Sequence, residues 1–263
     1  MKKLFTTTIT ATILLTTNIV VAYDFNSTPD KISAHLVAPA QSLDSIKKKL
    51  TDNGFKILAT TNIIDGHDVI TITNDELQAT NTYMAAIHVS VNGTDVRVQN
   101  PSYLGAAFLG NKYKYGKFKA TVNALEKALG SLKGSKQKTD LSDLEDYNFM
   151  MGMPKVDDTI IVKEGKNLAS KVKNSAYKLT LPSGLILVGH KLNKKTNKFL
   201  KTLGEEKNAQ ILPYESMVSA NKAEILDPKF YLALSLPNLS MGQFMEIASV
   251  PDEIEEDIIK DYK

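Results

Sequence analysis

The chain of 263 residues carries 32 basic and 29 acidic side chains and contains neither cysteine nor tryptophan. Without cysteine there is no disulfide, no thiolate metal site, no thiol nucleophile and no cysteine-linked lipid anchor. Charge this balanced gives no general attraction to nucleic acid or anionic lipid, and an apolar content of 43% is that of a chain that folds around a core.

In chain order, Met1-Lys2-Lys3 precedes an uncharged run to Ala22 whose apolar body includes Ile13, Leu14, Leu15, Val20 and Val21. That pattern predicts a secretory signal peptide over 1–22. An uncleaved anchor is the rival reading, but the threonines dilute the hydropathy and favour cleavage. A periplasmic or secreted protein with no stable membrane insertion is expected. Residues 23–31 read as a loose polar leader. Ala34–Pro39 is a predicted strand, and Ser42 caps a helix with Leu43, Ile46 and Leu50 on one face. Asn53-Gly54 ends it. Phe55–Ala59, Asp68–Thr73 and Met84–Val91 are the next strands, with a brief segment at Asn74–Leu77 between the last two. Asn92-Gly93 turns tightly into a strand holding Val96 and Val98. Asn100-Pro101 stops that strand, and Leu104, Ala107 and Phe108 start a helix. It breaks at Gly110 and resumes with Phe118, Val122, Leu125 and Leu129.

Residues 131–155, rich in Gly, Ser, Lys and Asp at their start, read as a linker. Beyond it come a strand at Thr159–Val162, a helix at Asn167–Lys173, strands at Tyr177–Leu181 and Leu185–Val188, and a lysine-rich helix over 193–203. Ala209–Leu212 and Phe230–Leu234 read as strands, and the closing helix starts after Pro237 and reinitiates at Pro251. Ser102 to Leu109 lies over Asn238 to Met245 without a gap. The fold class is therefore α+β, built from two tandem copies, 32–130 and 156–263, each strand–helix–four strands–helix. Antiparallel sheets with helices on one face, related by a pseudo-twofold axis, are expected, with a groove where the helix layers meet.

The run Val89-Ser-Val-Asn-Gly-Thr-Asp-Val-Arg-Val-Gln-Asn-Pro-Ser-Tyr-Leu-Gly-Ala-Ala-Phe108 resembles the end of the domains grouped as domain of unknown function 302. Ile70-Thr-Ile-Thr-Asn74 is similar to that family's mid-domain strand, with Asp75 where the family has proline. Ser42 to Gly54 is similar to its opening helix. The second copy carries Leu236-Pro237-Asn238 in place of Asn-Pro-x-Tyr. The resemblance implies a TBP-like fold and brings no catalytic residue with it.

Candidate chemistry is sparse. His35, His67, His88 and His190 form no metal-ligand spacing, and His88 is either surface-facing or a satisfied core group. Met150, Met151 and Met153 are a weak soft-metal candidate, though methionine also anchors loops. No Gly-x-Ser-x-Gly elbow is present. Lys112, Lys114, Lys117 and Lys119 interleave with Tyr113, Tyr115 and Phe118, a mix suited to a basic rim on a pocket for an acidic ligand or to plain solubility.

The sequence thus points to an exported binding protein without catalysis and without a cofactor, whose partner is a small molecule or a periplasmic protein and not nucleic acid. Asn100, Tyr103, Lys112, Tyr113 and Tyr115 would border a groove in the first copy, Asn238 and Phe244 in the second. The alternatives are a copper- or haem-handling protein and a hydrolase built from His and carboxylates at the domain interface.

Overall fold

The computed structural model describes residues 23–263, so the signal-peptide reading of 1–22 lies outside it. The first half contains strands β1 (Lys31–Ser33) and β2 (His35–Pro39), helix α1 (Leu43–Asp52), strands β3 (Lys56–Ile64) and β4 (His67–Thr73), helix α2 (Asp75–Gln78), strands β5 (Ile87–Val91) and β6 (Asp95–Gln99), and helices α3 (Pro101–Leu109) and α4 (Lys119–Leu129). Two short strands follow, β7 (Lys133–Gly134) and β8 (Lys138–Asp140). The second half contains β9 (Thr159–Glu164), α5 (Leu168–Lys171), β10 (Ser175–Thr180), β11 (Ile186–His190), α6 (Lys194–Asn197), α7 (Phe199–Thr202), β12 (Tyr214–Val218), β13 (Lys222–Leu226), α8 (Pro228–Ser235), α9 (Met241–Glu246) and α10 (Val250–Asp261). No helix among the described residues is long and apolar enough to cross a membrane.

The architecture is mixed α+β with antiparallel sheets. One sheet has the order β3-β4-β5-β6-β2-β7 and the other β10-β11-β12-β13-β9. Leaving β7 aside, each sheet places the second of its strands in chain order at one edge and the first at the other. The registers agree as well. Val89, Ser90 and Val91 pair with Val98, Arg97 and Val96, while Ser216, Met217 and Val218 pair with Ile225, Glu224 and Ala223 at one constant sequence offset.

Local chemistry sets these elements. Asn92 Oδ1 accepts from the backbone N–H of Thr94 and of Asp95, and Gly93 takes φ 79°, which closes the β5–β6 hairpin. Asn100 Oδ1 accepts from the Ser102 N–H at 3.0 Å, with Pro101 in the first turn of α3 where its missing N–H costs nothing. Asp227 and Pro228 repeat this cap on α8, Asp227 Oδ1 accepting from the Lys229 N–H at 2.8 Å.

That second cap corrects the sequence reading. Phe230–Leu234 is helix, not strand, and the counterpart of Asn100-Pro101 is Asp227-Pro228 rather than Leu236-Pro237. Phe230 therefore stands where Tyr103 stands, and both are buried. Ala209–Leu212 is likewise not a strand; Glu206–Ile211 forms 3₁₀ turns and the strand is β12. The segment 131–155 is no loose linker. β7 pairs with β2, β8 pairs with β1, and Leu132 and Leu144 are buried. The leader is held too: Tyr23 and Phe25 pack on the core, and Tyr115 Oη donates to the Asp24 carbonyl at 2.7 Å.

All five residues of β5 are buried, which a one-sided sheet does not produce. Ile87, Val89 and Val91 join the core on one face, so His88 and Ser90 point to the other, where the second half packs. His88 Nδ1–H donates to the Gln210 carbonyl at 3.1 Å, Tyr83 Oη to the Glu224 carbonyl at 3.0 Å, and Arg97 Nη1 to Asn208 Oδ1 at 2.8 Å. Two further cross-links sit elsewhere: His35 Nε2–H and Tyr103 Oη donate to the carbonyls of Ser235 and Leu234, each at 2.8 Å.

Candidate functional site

The connection after α3, the leader and the 131–155 segment enclose an open cleft of about 730 Å³. Tyr113 and Tyr115 form its aromatic wall, Ala106 and Leu141 its apolar floor, and Asp30, Asp140, Glu145 and Lys114 its polar rim. Gly105 makes the wall possible. A Cβ there would stand 2.3 Å from the Phe118 ring and 3.0 Å from the Tyr113 ring, so only glycine lets both rings lie against α3. Tyr113 then stacks on Phe118 at 6.4 Å and 15°, and Tyr115 packs against Phe25 at 5.6 Å.

Tyr113 Oη is shut from solvent and has no formed hydrogen bond among the described residues, and the same holds for Ser102 Oγ. Burial pushes the Tyr113 hydroxyl up to about 12, with the nearness of Ser102 pulling it back. Burial also raises Tyr115, helped by Tyr23. Both hydroxyls therefore stay protonated near neutral pH. On the rim, Asp140 meets Lys31 at 3.2 Å, and no ion pair among the described residues engages Asp30, Glu145 or Lys114.

The predicted site residues separate into two groups. Tyr113 and Tyr115 are at the cleft. Lys112 and Lys117 line a different, smaller depression beside Glu76, so the basic rim expected from the 112–118 run does not form; the rim is mainly acidic. Asn100 and Tyr103 do not border a groove, because they are fully buried: Asn100 Nδ2–H donates to the Ser33 carbonyl at 2.8 Å and Tyr103 is engaged by Leu234. Asn238 is occupied by the 131–155 segment, donating from Nδ2 to the Lys136 carbonyl at 2.9 Å. Phe244 is buried and stacks on Phe149 at 5.1 Å. Met150 and Met151 are exposed, Met151 at 98%, and Met153 is partly buried against the core.

Compared with known proteins, the chain matches no family model, no curated protein and no solved structure.

Among the histidines, His35, His88 and His190 are buried, which settles His88 as interior. His190, with Asp261 and Ser216, resembles a nucleophile constellation. His190 Nδ1–H donates to Asp261 Oδ2 at 2.9 Å, and Ser216 Oγ lies 2.7 Å from His190 Nε2 and 2.7 Å from Tyr262 Oη. With the ring neutral and its Nδ1–H donating to Asp261, Ser216 donates to Nε2 and Tyr262 donates to Ser216. No substrate reaches it, because Ser216 and His190 have no exposed surface. The chain fastens the C-terminus of α10 to the inner face of its sheet. Its members lie far apart in sequence, so spacing gave no warning of it. No group of three or more His, Asp or Glu among the described residues is placed to hold a metal ion.

Asp30, Asp140 and Glu145 were invisible as site residues in the sequence. They lie in segments that look like leader and linker, and only the folding of both segments onto α3 brings them to one rim.

Proposed function

We propose that the chain is an exported binding protein of two tandem TBP-like halves, and that the cleft beside Tyr113 and Tyr115 is its ligand site. The observation that carries this is the cleft itself: three separate segments close around two tyrosine rings, leaving concave space of the size that small-molecule sites occupy. The common strand order and matching registers support descent of both halves from one unit similar to domain of unknown function 302. In this reading the second half is scaffold, since none of its residues lines the cleft. The experiment is native mass spectrometry of the protein recovered from its own compartment. A small-molecule adduct is expected, and Ser142→Trp, which places bulk at the mouth of the cleft, should remove it without unfolding the chain.

A second reading has one observation behind it. The Phe149–Phe244 stack sets the loop bearing Met150 and Met151 against α9, whose Met241 and Met245 are also exposed. Exposed thioethers on neighbouring segments are soft ligands of the kind Cu(I) prefers. Titration with Cu(I) under a competing chelator, repeated on Met151→Leu, tests it.

A further inference from the structure

We propose that the cleft selects a small organic monocation, an amine or quaternary ammonium compound; this rests on the reading of the cleft as the ligand site. The charge count points there. Lys31 answers Asp140, which leaves Lys114 against two carboxylates, Asp30 and Glu145, and the rim is one positive charge short of balance. A concave, partly apolar site focuses that excess onto whatever enters it. The carboxylates do not converge as metal ligands do, because no three acidic or histidine side chains among the described residues come together, and the space far exceeds a bare ion. Charge spread around a cleft walled by Tyr113 and Tyr115 instead fits a cation with a carbon skeleton, whose positive end lies on a ring face while its body covers the apolar floor.

The test is calorimetric titration of the processed chain with choline, with its neutral carbon isostere 3,3-dimethyl-1-butanol, and with the anion 3,3-dimethylbutanoate, while tyrosine ring resonances are followed by NMR. Choline should bind at least tenfold more tightly than the alcohol and should perturb Tyr113 and Tyr115. Glu145→Gln and Asp30→Asn should each weaken it severalfold, Lys114→Ala should strengthen it, and added salt should weaken it. If the alcohol or the anion binds as well as choline and moves the same two rings, the cationic preference is wrong while the cleft remains the site. If no probe moves either ring, the cationic preference is overturned, and the adduct seen or missing in native mass spectrometry decides the cleft separately.

Discussion

His88 and Glu215 occupy the same register position in the two halves, paired with Thr71 and Gly189 respectively, and His88 Nε2 lies 3.4 Å from Glu215 Oε1. The contact between the halves therefore runs through equivalent positions, as it does where a twofold axis passes. The two residues have diverged into a complementary pair. Glu215 also accepts a close hydrogen bond from Tyr177 Oη, whose ring lies over Gly189.

Glu215→Ala should then be costly, because it leaves Tyr177 Oη buried without an acceptor and empties the space beside His88 Nε2. A loss of roughly 2–4 kcal/mol is expected in denaturant unfolding. In a double-mutant cycle with His88→Ala, the coupling should be at least about 1 kcal/mol. Additive effects would show that the pair does not join the halves.

Tyr103→Phe keeps the ring and removes only the hydroxyl that reaches the Leu234 carbonyl. A cost of about 1–3 kcal/mol follows from stranding that buried carbonyl. Choline titration should be unchanged, because Tyr103 lies inside the core and not at the cleft.

His35 gives the fold an acid limit. Burial, reinforced by Arg97 and partly opposed by the Ser235 carbonyl, lowers its pKa from 6.5 to about 4. Nε2–H already serves Ser235, and Nδ1 is a buried lone pair without a partner, so a second proton finds no acceptor. The unfolded chain binds that proton below pH 6.5 and the folded chain does not. Stability from this group is complete above pH 6.5, falls as pH drops toward 4, and is lower by roughly 3 kcal/mol there. Melting temperatures measured from pH 7 to pH 4 should show this slope, and His35→Asn should flatten it.

Gly105→Ala should destabilise by about 1–3 kcal/mol or more, since the added methyl meets the Phe118 and Tyr113 rings. It should also displace Tyr113 from the cleft, so the variant's ring resonances should shift without any ligand present.

Much of the first half was legible because its signals are local. Ser42, Asn92-Gly93 and Asn100-Pro101 each act on their own neighbours, and α1 and α4 show one buried stripe apiece. The second half misled where burial is complete. From Phe230 to Ser235 every residue of α8 is buried, so the helix has no polar face, and leucines at alternate positions imitate a strand. The register of the repeat then slipped from Asp227-Pro228 to Leu236-Pro237. The cleft was half legible: Tyr113 and Tyr115 stood out as aromatics among lysines, whereas its acidic rim depends on contacts between segments distant in the chain.

The 131–155 segment hydrogen-bonds into both halves: Ser135 N–H donates to the His35 carbonyl, Gln137 Nε2 to Glu205, and Tyr147 Oη to the Ala233 carbonyl. Met151, 98% exposed and beside Gly152, lies beyond those anchors. A protease nicking the backbone there would produce two polypeptides but a single particle, with the fragments clasped together and the cleft still whole.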